Sequence, residues 1–391
     1  MPKTILPTAQ QLTERGTLEY TLSVLMKHFK LSAQGYCCQT RDLWRVLILA
    51  AVRRSYIETT CNDLQDAPDS NTVRGYLKEQ LTENQIRTLQ HDFNRALASQ
   101  LPSWLRERPQ EVAIDLHDDP YYGKDDPKWM CRGEARAGTT RFFRCATAYV
   151  MRQHQRFTLA VEFVHPDDDL ATIVKRLRRR VKALQIAVKR YYFDKGFCSI
   201  PVLRSLLRDP QLSAIIAVPI RGKTGGTRAL CRGRKSYRTT HTFRSDQWGE
   251  LTVPVAVVRT IRKLRDGRRK ATWLVYVLIH ADDVPIARVR KMYRRRFGIE
   301  SSYRLLEQVC GKTTAHNPAL RFLWMGLALL LGNIWIALQW RHLQCHGSGP
   351  RRVLRSYFIL DRMVQFIRRA VEAIYGVISM VCHPALRLAK L

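Results

Sequence analysis

Glu111-Val112-Ala113-Ile114-Asp115-Leu116-His117-Asp118-Asp119 is the run on which the fold turns. Branched apolar residues at alternate positions favour an extended strand, whose side chains point to opposite faces in turn. Val112, Ile114 and Leu116 then share one face, and Asp115 shares the other with Ala113 and His117. In a chain with few acids, a carboxylate inside an apolar strand is a candidate for chemistry, the plain alternative being a structural acid. His117 reads as a hydrogen-bonded structural histidine.

Working outward, Arg144–Met151, Phe157–Phe163, Val188–Phe193 and Ser213–Ile220 are further short β-rich runs bounded by polar turns. A basic amphipathic helix is predicted over Asp167–Leu184 and a shorter one over Ile200–Leu207. Strands and helices in this order predict a mixed α/β core. Arg221–Val258 lacks helical periodicity and, with Val253–Ile261 and Ala271–Ile279, reads as a β-rich insertion. Its Arg221-Gly222-Lys223-Thr224 is no phosphate loop, because Ala217 stands where the first glycine is required. Trp248 and Trp273 read as core residues of this part. Val284–Val309 returns to a strong helical pattern, and Arg351–Ile378 is a last basic helical segment.

Before the first strand the period changes. Thr17–Phe29, Thr40–Ile57 and Glu83–Leu105 carry apolar residues three and four apart. Glu58–Gln65, the turn Asp66–Asp69 and Ser70–Leu81 form a helix, turn, helix pattern. Ser70 or Asn71 can cap its second helix, and Arg74 and Lys78 lie four apart on one face. This is the shape of a DNA reader, with an ordinary helical hairpin as the alternative.

Charge narrows the partner. Sixty-six Lys and Arg oppose 33 Asp and Glu in 391 residues, a formal net charge of +33, and the sequence pI is about 10.3. Such a field attracts a polyanion, and double-stranded DNA is the partner expected. The mean hydropathy of −0.27 suits a water-soluble chain rather than a disordered one. Ten cysteines show no paired zinc-site spacing and read as reduced thiols. The first residues lack an apolar signal core, so a cytoplasmic location is expected. Phe322–Trp340 is uncharged and long enough to span a bilayer. It is solitary, contains Asn333 and Gln339 and is flanked by arginine-rich helices, so it is read as a helix buried on all sides, and no membrane partner is expected.

Two more acids join Asp115. Asp194 ends the run Val188–Phe193 just before Gly196, where open α/β sheets present functional groups. Glu300 lies on the helical stretch that carries Tyr293 and Arg296, spaced three and four so that all three share a face. Three convergent carboxylates suit two Mg²⁺ ions about 3.5–4 Å apart, one for the attacking and one for the leaving oxygen of a phosphodiester. Mn²⁺ can substitute. The ions also explain how like charges sit together. Taken singly each acid has a structural reading, and a solvated basic face is the alternative for the Tyr293–Glu300 helix.

Tyr293-x2-Arg296-x3-Glu300 resembles the Tyr-Arg-Glu signature of cut-and-paste insertion-sequence transposases, a branch of the DDE superfamily with an RNase H-like fold. Ile114-Asp115 and Asp194-Lys195-Gly196-Phe197 match the other two acids of that branch, and the likeness spans about residues 110–340. The family often has a lysine seven residues after its glutamate; here that position is Glu307. The resemblance implies metal ligation and catalysis by Asp115, Asp194 and Glu300, and phosphate contacts from Tyr293 and Arg296 near the cleaved end.

The sequence therefore predicts an RNase H-like mixed sheet flanked by helices. A helical DNA-binding region spans 1–108, the core 109–220 and 271–345, a β-rich insertion 221–270, and a basic helical segment 346–391. Hydrolysis freeing a 3′-OH and its transfer to target DNA, in a homodimeric synaptic complex, is the expected activity. An RNase H-fold nuclease or junction resolvase, and a catalytically silent descendant that only binds DNA, are the alternatives.

Overall fold

The computed structural model describes residues 11–136, 138–152, 155–263, 267–296, 307–345 and 352–380. The N-terminal region is helical, as its period of three and four requires: α1 (Glu14–His28), α2 (Thr40–Arg53), α3 (Ile57–Asn62), α4 (Ser70–Gln80) and α5 (Ile86–Ser99). A two-residue hairpin, β1 (Gln34–Gly35) with β2 (Cys38–Gln39), separates the first two helices. Helix α4 follows the expected turn, but its cap is Asp69, whose carboxylate accepts the Asn71 N–H at 2.8 Å; Ser70 and Asn71 are already inside the helix. Val73 and Leu77 face inward, leaving Arg74 and Lys78 exposed together on the outer side.

From Gln110 the chain builds a mixed sheet. Its strands are β3 (Gln110–Pro120), β4 (Cys131–Arg136), β5 (Thr139–Arg152), β6 (Gln155–Val164), β7 (Val188–Phe193) and β8 (Ala214–Val218), then β9 (Tyr237–Ser245), β10 (Gly249–Lys263) and β11 (Arg269–Ile279). The order is β4-β5-β3-β7-β8-β11-β10-β9, with β6 also on β5. β7 runs parallel to both β3 and β8, and the other pairs are antiparallel. This is an RNase H-like sheet. Helices α6 (Leu170–Ala183) and α7 (Ile200–Leu207) make the connections that bring successive strands round to parallel neighbours. The run read as a β-rich insertion continues the same sheet, since β11 pairs directly with β8 from Val275↔Val218 to Ile279↔Ala214.

Alternation along β3 sorts its side chains as the sequence requires. Val112 and Ile114 pack in one core with α6 and α7. Ala113 belongs to the opposite face, under α8 (Ile286–Arg294), with Tyr149, Tyr192, Ile215, Val289 and Tyr293. Further along that second face, Phe143, Cys145, Val161 and Phe163 join the helical core formed by α1, α2, α5, α9 (Pro318–His342) and α10 (Leu360–Tyr375). Two apolar covers thus share one face of the sheet. On β5 the residue between them is Thr147, and its register partner on β3 is Asp115.

Helix α9 is the apolar stretch that the sequence reads as a helix buried on all sides. It is long and apolar enough to cross a bilayer, yet 83% of its most apolar window is buried inside the protein. Its polar residues explain why it stays there. Asn333 accepts the Thr158 N–H at 2.9 Å and donates to Thr158 O at 2.9 Å, and Gln339 donates to Phe358 O at 2.7 Å. Asn333 thus has both its amide groups paired by backbone that lipid does not offer.

Candidate active site

Asp115 stands on β3 facing the gap between the two apolar covers. Ile114 and Phe193 are register partners on the parallel strands β3 and β7. Asp115 and Asp194 are each the next residue, so parallel pairing alone delivers two carboxylates to adjacent positions. Neighbouring strands lie about 4.8 Å apart, close enough for both to touch one cation. Asp194 leaves the sheet as the residue that opens the 3-10 turn Lys195–Phe197.

Arg296 supplies the cation in this structure. It follows α8 in the turn at that helix's end and is buried. Its Nη1 donates to Asp115 Oδ2 at 2.9 Å and its Nη2 to Asp194 Oδ1 at 2.9 Å. Asp115 also accepts the Leu116 N–H through Oδ1 at 3.0 Å. Burial pushes the Asp115 carboxyl up; Arg296 works against that shift and Asp194 adds to it. Burial disfavours the charge on Arg296, but its neighbours, Asp115 foremost and then Tyr293, Tyr149 and Asp194, more than offset it and hold the guanidinium protonated. Behind Asp115, Arg156 lies over the Tyr149 ring at 4.1 Å and donates to Thr147 Oγ1 at 3.0 Å. A second positive charge therefore stands at the rear of the pair.

Tyr293, expected against a phosphate, is buried in this structure. Its ring is 1% exposed and lies 4.9 Å from the Tyr276 ring. Its hydroxyl donates to Phe193 O at 3.0 Å. The tyrosine thus ties α8 to β7 at the residue just before Asp194. Burial pushes its hydroxyl up, so it remains a neutral donor. Arg296, likewise expected on a phosphate, is engaged here by Asp115 and Asp194.

Glu300, the third acid, lies outside the described residues. Among the described residues no group of three or more His, Cys, Asp or Glu side chains is gathered as a metal site. The Asp115–Asp194 pair nonetheless fits a hard cation. Both are oxygen donors, both aim at one point, and a guanidinium already occupies that point as a stand-in.

Sequence reasoning missed the partners of the neighbouring acids. Asp118 takes Arg144 at 2.5 and 3.2 Å, its own register partner across β3 and β5. Asp119 accepts from Arg321 at 2.7 Å, a buried residue of α9. Both acids are thereby committed, leaving Asp115 as the acid of this run that faces Asp194. The Asp118–Arg144 pair was foreseeable from strand register, and the α9 contact was not. Burial keeps His117 neutral by lowering its imidazole. It borders a cavity of about 790 Å³, also lined by Tyr121, Lys312, Arg321 and Trp324.

Arg74 and Lys78 sit far along the chain from these acids, on the exposed side of α4. Arg74 donates to Asn71 Oδ1 at 2.8 Å and lies 3.6 Å from Glu58 of α3, a solvent-facing pair of small energetic weight.

The sequence profile of the transposase DDE domain matches residues 106–334. No protein of curated function matches the chain. Among solved structures, the fold is similar to piggyBac transposase in a cryo-EM synaptic complex with hairpin DNA. The TM-score is 0.52 at 14% identity, covering 92% of this chain and 76% of that one, a likeness of fold.

Proposed function

Because the chain belongs to the transposase DDE domain family, we propose that it is a DNA transposase that hydrolyses phosphodiester bonds at element ends and joins the freed 3′-OH to target DNA. The observation that carries this reading is the parallel pairing of β3 with β7, which sets Asp115 beside Asp194 at one cation-binding point. Glu300 completes the set on this proposal. Divalent ions held there, Mg²⁺ or Mn²⁺, would activate the attacking oxygen and stabilise the leaving one.

The chain's own residues contribute position and charge. Tyr293 fixes the end of α8 to Phe193 O, which keeps the backbone at the end of α8 beside the strand end that carries Asp194. Arg296 has the planar fork suited to a phosphate once it is free of the carboxylates. The net charge of +33 draws DNA to the protein without regard to sequence. Recognition of element ends is assigned to residues 1–108, through Arg74 and Lys78 on the exposed side of α4. The active assembly is proposed to be a homodimer bridging two ends, in the cytoplasm.

The test is a search for inverted repeats beside the encoding gene, followed by cleavage of linear DNA that bears them. Mg²⁺-dependent nicking at the repeat ends, followed by joining to a supercoiled target, is the expected result. Cleavage without regard to the repeats would favour the nuclease reading, and binding without cleavage the silent one.

A further inference from the structure

Asp115 and Asp194 share one guanidinium, and a metal ion would need the same oxygens. We propose that Arg296 is a resident counter-cation of this site, and that divalent metal binds only by displacing it. This rests on the metal reading above and adds a competition to it.

Three observations carry the proposal. First, both terminal nitrogens of Arg296 are used, each at 2.9 Å and each on a different acid. A hard divalent ion binds carboxylate oxygen directly, about 2.0–2.1 Å for Mg²⁺. Arg296 and an ion cannot both stand between these two oxygens. Second, the pair needs a cation to coexist. Parallel pairing sets the two carboxylates side by side, where like charges repel, and Arg296 bridges both at 2.9 Å. The protein without metal therefore carries its own positive charge between the two acids. Third, Arg296 is poised to leave. It sits beyond the last residue of α8, Arg294, in the turn rather than in the helix. The helix itself is held by the buried Val289 and Tyr293 and by the Tyr293 bond to Phe193 O. The guanidinium can swing out while its anchor stays in place.

Displacement has a direction. One positive charge leaves the pair as two arrive with each ion, and the released fork stands beside the reacting phosphodiester, where it can bind phosphate oxygens. Metal loading and phosphate engagement then favour one another, because DNA offers the ejected arginine an alternative anion. The chain would hold its metal weakly until DNA is present, which spares other phosphodiesters.

Mn²⁺ binding to the full chain without DNA, followed by electron paramagnetic resonance of the free ion, tests this. Arg296→Gln should bind Mn²⁺ roughly tenfold or more tightly than the wild type, the scale of a unit charge removed from a partly buried site. Arg296→Lys, which keeps the charge but cannot fork between two acids, should fall between them, and it serves if the glutamine variant folds poorly. Adding a short duplex to the wild type should tighten its Mn²⁺ binding and leave Arg296→Gln nearly unchanged. Equal or weaker Mn²⁺ binding by both variants would overturn the competition and make Arg296 a scaffold for the acids. Binding that is undetectable in the wild type and both variants, or that survives Asp194→Asn intact, would overturn the metal reading itself.

Discussion

Replacing Tyr293 by Phe removes a single hydroxyl and separates two roles for that residue. The ring is buried and packs on Tyr276, so Phe keeps its volume and its apolar contacts. What goes is the 3.0 Å bond to Phe193 O, made where neither atom has water to fall back on. A buried carbonyl left without its donor costs about 1–2 kcal/mol. In a chain of this size that lowers the unfolding midpoint by about 1–2.5 °C. Phe193 directly precedes Asp194, so the loosened anchor should also shift one acid relative to Arg296. Small displacements of reacting groups are costly, and cleavage should slow by roughly three- to tenfold. DNA affinity should stay within about twofold and its salt slope unchanged, because no phosphate contact is lost. Differential scanning fluorimetry with binding isotherms at three or more salt concentrations measures all of these. An unchanged midpoint together with weaker, less salt-sensitive binding would refute the anchoring role and return Tyr293 to the DNA surface.

Asp115→Ala and Asp194→Ala should each abolish cleavage of end DNA in Mg²⁺ while leaving binding intact, and so should Glu300→Ala; a variant that still cuts would remove its acid from the set. Chelation should stop cleavage by the wild type and added Mg²⁺ restore it, so activity that persists in chelator would sink the metal mechanism. Arg74→Ala with Lys78→Ala in the full chain should cut the preference for end over scrambled DNA and reduce the salt slope by about one unit per lost contact. Equal preference before and after would move recognition elsewhere. Asn333→Leu should destabilise the protein by about 2–4 kcal/mol in urea, since it orphans both polar groups of Thr158 in the core; a neutral result would mean that α9 is not packed as described.

The sequence alone reached the elements whose stability is local. The alternation of Val112, Ile114 and Leu116 against Ala113 and Asp115 specified a strand and told which face the acid occupies, because side-chain direction in a strand depends only on parity. Val188–Phe193 and Ile200–Leu207 are found with the bounds their composition suggested. Strand β4 escaped notice, and β9 was read only as part of a β-rich run, because both carry mainly polar or exposed residues at the sheet's edge. Such strands are held by the backbone ladder to one neighbour, and a ladder leaves no hydrophobic pattern to read.

Everything that required two distant segments to meet was decided by tertiary structure. Asp115 and Asp194 were each visible as strand-associated acids, but only the parallel register Ile114↔Phe193 sets them side by side. Helical spacing put Tyr293 and Arg296 on one face without saying whether that face meets solvent or the sheet. Packing of α8 against Tyr192, Ile215 and Tyr276 chose the sheet, which buried the tyrosine and delivered the arginine to the acids. Apolar composition suits α9 to lipid or to a core, and its amides and arginine-rich flanks pointed to the core. Thr158, 175 residues before Asn333, pairs both amide groups of that residue with its own backbone, and Phe358 O accepts from Gln339. Local propensity and parity are properties of neighbouring residues, whereas an ion pair or a buried amide is defined by its partner, and that partner is supplied only when the chain has folded.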